Sequence, residues 1–302
     1  MVCIGAFDGV HRGHCAVLQR VRENAARAGL ASVAISFAPI PRVYFARGAA
    51  VPQLTSTREK IAALLAAGMD TVLLLRFNAA LAAMSAQDFV QRVLVDRLTA
   101  REVWVGEEFR FGHARQGDLA LLRELGSRHG FSADAVAHVE VQGERISSSA
   151  IRVALAAGEF EHAARAGARR FTMGGHVVRG LQLGRKLGYP TANLHLYRRT
   201  APIGGVFAVW VHGVHACPMP GVASLGVRPT VNGTEPLLEA HLFDFDGDLY
   251  GRRIEVEFVR KLRDEEKFDD LDAMVRQIDR DAAQARSMLD ALPRAQGLEE
   301  KA

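Results

Sequence analysis

The sequence lacks the features that mark several common classes of protein. Its three cysteines, Cys3, Cys15 and Cys217, are odd in number and widely spaced, which argues against a disulfide framework or a zinc cluster and favours a reducing cytoplasm. No apolar run reaches the length of a membrane span, and no basic-then-apolar signal pattern opens the chain. The net charge of +4 is small, without a basic block typical of nucleic-acid arms. We expect a cytoplasmic protein that binds neither membranes nor nucleic acid; oligomeric state is not indicated.

The composition is that of an ordinary globular protein, with 49% hydrophobic and 24% charged residues. A length of 302 residues is enough for two domains with separate cores. The pattern of the sequence changes near Ala168–Arg170. We therefore predict one domain over residues 1–168 and a second over residues 169–302.

The first half alternates short apolar runs with helical patterns, which predicts a doubly wound α/β fold with a parallel sheet. The predicted strands are Val2–Gly5, Ala31–Phe37, Thr71–Leu75, Arg101–Val105 and Ala135–Val141. The predicted helices are marked by Leu18, Val21, Ala25 and Ala28; by Ile61, Leu64 and Leu65; by a capping box at Ser85–Asp88 ahead of Phe89–Leu98; and by Gly117–His129, closed by Gly130. Ligands of such folds bind at the carboxyl ends of the strands.

The second half is rich in Gly, Val and short alternating runs, which predicts a compact antiparallel β-barrel. The predicted strands are His176–Val178, Phe207–Val211, Leu237–Phe243 and Ile254–Val259, with turn signals at Asn232-Gly233 and Asp246-Gly247. Two short helices, Ser149–Ala157 and Phe160–Ala166, precede the barrel. A final helix over Leu271–Leu289 carries Leu271, Met274, Ile278 and Ala282 on one side.

A histidine motif follows the first predicted strand. His11 and His14 are separated by Arg-Gly at the point where the predicted strand ends and a helix begins. Unpaired N–H groups and the helix dipole attract anions there, and histidines can donate hydrogen bonds to a phosphate. Gly5, Gly9 and Gly13 let the backbone approach a ligand closely. The motif therefore predicts a phosphate site.

A second glycine-rich segment, Gly180–Asn193, opens the barrel half. It is not a P-loop, because Gly-x-x-x-x-Gly-Lys-Ser/Thr does not occur in the chain. Its glycines, with the charges of Arg185 and Lys186, can still bind phosphate. Thr191 offers a hydroxyl and Asn193 a carbonyl, the hard oxygen ligands that Mg²⁺ prefers.

Both segments resemble known enzymes. Phe7–His14 resembles the HxGH signature of the nucleotidylyltransferases, in the longer form of the bifunctional bacterial riboflavin kinase/FAD synthetases. Gly188–Asn193 resembles the Pro-Thr-Ala-Asn signature of riboflavin kinases. The resemblance spans Ile4 to about Arg286 and implies a nucleotidylyltransferase-like domain followed by a riboflavin kinase barrel.

The resemblance implies roles for individual residues. In the first domain, His11 and His14 would be catalytic, stabilising charge at the α-phosphate of ATP. The expected nucleotide and flavin contacts there are Gly5, Phe7, Asp8, Gly9, Glu108, Phe109, Ser147, Ser148 and Arg152. In the second domain, Glu239 would be the general base, and Thr191 and Asn193 would bind Mg²⁺. The expected contacts there are Gly180, Gly184, Arg185, Lys186, Tyr189, Pro190, Asn193 and Arg263, the last in a loop over the flavin.

The chain departs from the family pattern at three places. Pro39-Ile40-Pro41 stands where many members have Pro-His-Pro, and Ile40 cannot form the hydrogen bond to phosphate that a histidine would. Ser149 replaces the usual threonine of the serine-rich segment and keeps a hydroxyl. The chain begins almost on the first strand, which we therefore expect to be cut short.

The implied activity is the ATP-dependent phosphorylation of riboflavin to FMN, followed by adenylylation of FMN to FAD with release of pyrophosphate. A kinase with a degenerate first domain is an alternative, against which His11, His14, Ser148 and Arg152 argue. A flavin- or nucleic-acid-binding regulator is another, but it would not need Glu239 with Thr191 and Asn193. A different HxGH adenylyltransferase would lack the second domain.

Overall fold

The computed structural model describes residues 1–46, 51–180, 184, 187–230 and 233–292, without the side chains of residues 228–230 and 233–234. The chain forms two compact units. The first comprises Met1–Val51, Thr57–Ser148 and Ala166–Ala168. The second comprises Pro52–Ser56, Ser149–Arg165 and Arg169–Ala302.

A parallel five-stranded sheet forms the centre of the first unit. Its strands are β1 (Val2–Ile4), β2 (Val33–Ala38), β3 (Thr71–Arg76), β4 (Glu102–Gly106) and β5 (Ser132–Val136). Their order is β3-β2-β1-β4-β5. The chain therefore reverses direction across the sheet between β1 and β4, and a ligand crevice forms beyond the carboxyl ends of strands at such a point.

Both faces of this sheet are covered, because side chains alternate along each strand. Val2 and Ile4 lie in one apolar cluster with residues of β4 and with Phe89 and Leu122. Cys3 lies in the cluster on the other face. The helices of this unit are α1 (Arg12–Ala28), α2 (Pro41–Phe45), α3 (Thr57–Ala66), α4 (Ala79–Ala82), α5 (Ala86–Phe89), a π-helical stretch Val90–Val95, a 3₁₀ turn His113–Arg115 and α6 (Leu119–His129).

Two small elements lead out of the sheet. A two-stranded hairpin pairs β6 (Glu140–Val141) with β7 (Glu144–Arg145). The helices α7 (Ser148–Ala156) and α8 (Phe160–Ala166) follow. Nearly all of α7 and α8 belongs to the second unit.

The second unit contains a closed antiparallel barrel of six strands. They are β8 (Thr172–Val178), β9 (Ala192–His195), β10 (Gly205–His212), β11 (Met219–Thr230), β12 (Gly233–Leu242) and β13 (Arg253–Arg263). The long helix α9 (Leu271–Asp290) packs Ala282, Ala285 and Leu289 against the barrel. None of the described helices is long and apolar enough to cross a membrane.

The predicted fold class is confirmed in both halves, but several predicted elements need correction. The fifth strand is Ser132–Val136, not Ala135–Val141, because Gly130 ends α6 in a left-handed conformation and the strand follows at once. Strands β9 and β11 were not predicted. The turn signal at Asn232 lies outside the described residues.

The helix predictions also need adjustment at their ends. The Ser85 hydroxyl accepts the Asp88 N–H at 3.0 Å, so α5 begins at Ala86, three residues before the predicted start. Gly117 pairs with Phe111 and stays outside α6. Three apolar residues predicted for buried helix faces are exposed, since each lies at the edge of its stripe: Ala28, Leu65 and Leu271.

Candidate active sites

The loop between β1 and α1 has an unusual backbone. The sheet ladder continues to Gly5, whose N–H donates to the Ile35 carbonyl at 3.1 Å. Phe7, Gly9 and Val10 then have φ of 47°, 86° and 37°. Non-glycine residues in this region cost about 1–3 kcal/mol each and persist only where surrounding contacts hold them. The conformation of this loop is therefore imposed by the structure around it.

His11 and His14 lie together at the start of α1. His11 is the N-cap, and its Nδ1 accepts the backbone N–H of His14 at 3.3 Å. That contact leaves the proton of a neutral His11 on Nε2. The two rings stack with centroids 3.7 Å apart and planes 17° apart. The sequence thus correctly predicted that both imidazoles sit at a helix N-terminus.

The environment of His14 keeps its imidazole neutral. Its Nδ1 is buried and has no hydrogen-bond partner among the described residues. Burial, with smaller contributions from His11 and Lys60, lowers the pKa of His14 well below its ordinary value. A neutral imidazole carries one N–H, so His14 can donate one hydrogen bond to a phosphate.

Phe7 and Asp8 are both buried beside the histidines, and their predicted ligand contacts stay predictions. The Phe7 side chain is 1% exposed and packs edge-on against His14, with centroids 5.1 Å apart. Asp8 is 3% exposed, and its carbonyl accepts the Ser148 hydroxyl at 2.8 Å. The Phe7 ring thus helps to position His14.

A cavity of about 780 Å³ lies at the carboxyl ends of these strands. It is largely apolar and is of the size that organic ligands occupy. Gly5, Ile40, Glu108 and Phe109 line it. Aromatic rings from several elements complete the wall: Phe37, Phe45, Phe77, Phe89 and Phe111. The structure therefore brings Gly5, Glu108 and Phe109 together, as predicted, and makes Ile40 part of an apolar wall.

Glu108 is tied to the β6–β7 hairpin. Its two carboxylate oxygens accept from Arg145 at 2.7 and 2.6 Å. This bidentate contact lowers the pKa of Glu108. The carboxylate is thus ionised and oriented by Arg145.

The serine-rich segment opens α7. Ser147 and Ser148 belong to the first unit, whereas Arg152, one turn further along α7, belongs to the second. The Nε of Arg152 donates to the Pro52 carbonyl at 2.7 Å. The structure thus orients Arg152 through Pro52, and the predicted phosphate contact of Arg152 stays a prediction.

In the barrel, Asn193 and Glu239 are direct neighbours. They are opposite each other in the β9–β12 ladder. Leu238 and Ala240, on either side of Glu239, are fully buried in the barrel, so Glu239 faces away from its interior. Its carboxylate accepts a hydrogen bond from Asn193. Burial raises the pKa of Glu239; nearby Glu265 raises it further, and the Asn193 hydrogen bond opposes the shift.

A small pocket of about 80 Å³ lies beside this pair. Gly180, Pro190, Thr191 and Asn193 line it, together with residues 245–250. A Cβ at Gly180 would lie 2.6 Å from the Asn193 amide, so a larger residue there would displace the Asn193 side chain. The structure therefore brings four predicted kinase residues to one pocket. Arg185 and Lys186 lie outside the described residues.

The pocket suits a hard cation better than a soft one. Thr191 and Asn193 point to the same side of the strand and offer hydroxyl and amide oxygens. The described residues contain no cluster of three or more His, Cys, Asp or Glu side chains that could hold a metal ion. The donor set thus fits Mg²⁺, which binds through few protein oxygens and keeps water or phosphate as other ligands.

Two predicted kinase contacts instead hold α9. The Arg263 guanidinium binds the Asp281 carboxylate at 2.7–3.1 Å and also donates to the Asp264 carbonyl at 2.9 Å. The Tyr189 hydroxyl donates to Asp279. The Arg263 guanidinium thus attaches α9 to β13, and its predicted contact with the flavin stays a prediction. On β12, His241 contacts the carbonyl of Pro190, the residue after Tyr189, at 2.9 Å.

Sequence reasoning missed Lys60. By its sequence pattern the segment Leu54–Lys60 is simply a helix entry, yet Lys60 is 3% exposed and its Nζ donates to the carbonyls of Ala6 and Phe37. One signal was available, because Lys60 lies four residues before the buried Leu64 and so on the same helix face.

Comparisons with known proteins agree with this geometry. The family model for FAD synthetase matches residues 1–150, and that for riboflavin kinase matches residues 167–289. A protein of Pseudomonas fluorescens, named bifunctional riboflavin kinase/FMN adenylyltransferase, is 45% identical over 286 residues, covering 94% of this chain and 91% of the relative. The protein of the same name from Escherichia coli (strain K12) is 43% identical, covering 95% and 91%.

A solved structure shares the whole architecture. A crystal structure from Streptococcus pneumoniae, titled a macrolide-efflux protein, superposes with a TM-score of 0.78 at 29% identity, covering 94% of this chain and 93% of that chain. The relatives and both family models cover the two halves in the same order as the two predicted domains. This chain belongs to the bifunctional riboflavin kinase/FMN adenylyltransferase family.

Proposed function

We propose that the two activities of this enzyme are carried by the two sites described above. The enzyme phosphorylates riboflavin to FMN and adenylylates FMN to FAD. We assign adenylylation to His11 and His14 with the adjoining cavity, and phosphorylation to Glu239 with Thr191 and Asn193. The observation that carries this division is that residues of each group's own segment line a cavity, Gly5 and Ala6 of the histidine loop in one compact unit and Thr191 and Asn193 in the other.

In the kinase reaction, the terminal hydroxyl of riboflavin attacks the γ-phosphate of ATP. Glu239 accepts the proton of that hydroxyl, because its partly buried carboxylate has a raised pKa and is oriented by Asn193. The bond between the γ-phosphorus and the bridging oxygen breaks, and ADP leaves. Thr191 and Asn193 would hold Mg²⁺, which supplies neutralisation of phosphate charge when bound.

In the adenylyltransferase reaction, a phosphate oxygen of FMN attacks the α-phosphate of ATP, and pyrophosphate leaves. Such a displacement needs no covalent enzyme intermediate. His11 and His14 donate hydrogen bonds to the phosphate oxygens where negative charge builds up, next to the positive end of the α1 dipole. We assign Ser147, Ser148 and Arg152 to phosphate binding by family resemblance.

The cavity of this unit suits the flavin ring. Its walls are mostly aromatic and apolar, and Phe109 stacks on Phe111 with planes 15° apart. A planar, largely apolar ring system gains from such surroundings. We therefore propose that FMN binds with its ring in this cavity and its phosphate towards the histidines.

The functional boundary is proposed at residues 168/169. The family models, which end at residue 150 and begin at residue 167, support a division in this region. The compact units place residues 149–165 with the barrel, so the folding boundary lies earlier in the chain than the functional one. We infer a cytoplasmic location from the cysteine pattern, since all three thiols are free.

The experiment that tests this function uses the full chain. Purified protein is incubated with Mg²⁺ and ATP, with either riboflavin or FMN as the flavin, and FMN and FAD are separated by chromatography. We expect FMN and then FAD from riboflavin, and FAD alone from FMN. Absence of FAD from the FMN reaction would contradict the assignment of adenylylation to the first unit.

A further inference from the structure

Lys60 is a buried cation beside the adenylyltransferase histidines. It lies in the first turn of α3 and is 3% exposed, although lysine is rarely buried without a partner. Arg58, two residues earlier on the same helix, is exposed. A buried ammonium group needs acceptors, and those of Lys60 are two main-chain carbonyls.

These carbonyls lie at the ends of two neighbouring strands. Lys60 Nζ donates to Phe37 at 2.6 Å, in β2, and to Ala6 at 3.3 Å, just after β1. The Ser36 hydroxyl also donates to the Ala6 carbonyl at 3.1 Å. Ala6 immediately precedes the first left-handed residue of the histidine loop, Phe7. Lys60 therefore joins the start of this loop to the end of β2.

The loop needs such restraints. Three of its residues have positive φ, two of which are not glycine. Such a backbone is kept only by contacts that oppose its relaxation. Polar contacts to its carbonyls include those from Lys60 and Ser36 at Ala6, from Ser148 at Asp8 and from the Cys15 thiol at Val10. Two residues after Asp8 the chain reaches Val10 and then the N-cap His11.

We propose that Lys60 is a positioning residue for adenylyl transfer, which holds the β1–α1 loop so that His11 and His14 keep their orientation towards the phosphates. The inference rests on the proposed site at these histidines. Lys60 acts through the Ala6 carbonyl and is not assigned a contact with substrate.

The ionisation of Lys60 should make the rate of FAD formation depend on pH. Burial lowers the pKa of Lys60 to about 8, while the Asp8 carboxylate opposes this shift. The Lys60 charge in turn lowers the pKa of His14. The titratable and charged groups of the facing loop and helix start are Asp8, His11, Arg12 and His14. The end of β2 presents carbonyls and the Ser36 hydroxyl, and Glu59 neighbours Lys60 on α3. As pH rises through 8, Lys60 loses its charge and one N–H donor.

The test compares Lys60→Met with Arg58→Met. Methionine keeps the length of the apolar stem and removes the ammonium group, and the control removes an exposed cation from the same helix. We expect the kcat of FAD formation from FMN to fall about a hundredfold in Lys60→Met, the effect of misplacing catalytic groups by about 1 Å, with little change in the KM for ATP. Riboflavin phosphorylation should stay at the wild-type rate and serves as an internal measure of folding.

Two further measurements separate positioning from a structural role. The wild-type rate of FAD formation should decline above pH 8, and this decline should be absent from the residual activity of Lys60→Met. Lys60→Gln, which keeps an N–H donor without the charge, should retain more activity than Lys60→Met. The proposal is overturned if Lys60→Met matches Arg58→Met, or if both activities fall in parallel.

A parallel His14→Ala variant distinguishes failure of this inference from failure of the proposed site. If His14→Ala loses adenylylation and Lys60→Met does not, the histidine site stands and the role of Lys60 is wrong. If His14→Ala keeps full adenylylation, the site itself is wrong, and the inference about Lys60 is overturned with it.

Discussion

The two active sites differ in what holds their reactive side chains. In the barrel, Asn193 and Glu239 face each other across the β9–β12 ladder, so the main-chain hydrogen bonds of a sheet set their separation. In the α/β unit, His11 and His14 follow a loop with positive φ angles, held by side chains 54 and 140 residues away in sequence, Lys60 and Ser148.

Because of this difference, different kinds of substitution should disturb the geometry of each site. A pair of residues on adjacent strands keeps its geometry for as long as the ladder persists, because pairing register defines which residues are opposite. A loop with unfavourable φ angles keeps its geometry only while its external contacts persist. Substitutions far from the chemistry should therefore affect FAD formation more than FMN formation.

The largest expected effect comes from separating the two halves. A fragment of residues 169–302 should convert riboflavin to FMN and make no FAD, since it contains the ladder pair and neither histidine. It should unfold at a lower temperature than a fragment of residues 149–302, because Phe160 packs edge-on against the fully buried Phe207 at 5.7 Å. Thermal unfolding and flavin chromatography measure both. A soluble, cooperatively unfolding 169–302 fragment without kinase activity would place part of the kinase site in the first half.

Glu239→Gln tests the ladder site directly. FMN formation should fall by about a hundred- to ten-thousandfold, the usual contribution of a general base, with little change in ATP binding. Because burial raises the pKa of Glu239, the wild-type kinase should lose rate on acidification at a pH above the ordinary titration of a carboxyl. The pH–rate profile of Glu239→Gln should not show this loss of rate on acidification.

The matched control for that variant is Glu235→Gln, an exposed carboxylate on the same strand. Its kinase rate should equal that of the wild type. Near-normal turnover in Glu239→Gln would make Glu239 a structural residue of the strand and leave the general base to be found elsewhere.

His14→Ala tests the loop site. FAD formation from FMN should fall on the order of a hundredfold or more, since a donor that stabilises developing charge is lost. Riboflavin phosphorylation should be nearly unchanged. His129→Ala, at the exposed end of α6, is the control and should alter neither rate. Equal loss of both activities in His14→Ala would mean that the two sites are energetically coupled.

The smallest effect is expected at Ile40, where the chain departs from the family pattern. If a histidine at this position contacts phosphate, Ile40→His should raise the initial rate of FAD formation or leave it unchanged. Ile40 is 5% exposed and lines the aromatic cavity. A marked fall in rate would instead show that this cavity is built around an apolar side chain.

Much of the fold could be predicted because periodicity is a local signal. Alternating and helical patterns located most strands and helices, and Gly130 correctly marked the end of α6. The shift of β5 to Ser132–Val136 shows the limit of such reasoning. A short apolar stretch does not define its own boundaries, which pairing with β4 decides.

Much of both sites could also be predicted, because motif spacing places residues at turns and helix starts. His11 and His14 lie at a helix N-terminus, as the sequence analysis expected, and Glu239 lies on a barrel strand, as expected; that this strand pairs Glu239 with Asn193 was not foreseen. The site residues whose contacts the sequence did not foresee share one property. The positions of Lys60, Phe7 and Arg263 depend on partners far along the chain.

The amino-acid sequence by itself determined the fold class of each half, the order of the two halves and the residues able to do chemistry, since these follow from local periodicity and residue type. Tertiary structure alone decided which charged groups are buried and what they hold. In the sequence, Lys60 is one residue of a predicted helix. It hydrogen-bonds to the start of the histidine loop only because α3 packs against the ends of β1 and β2 in the folded protein. Burial and long-range hydrogen bonding arise from packing between distant segments, which no local pattern encodes.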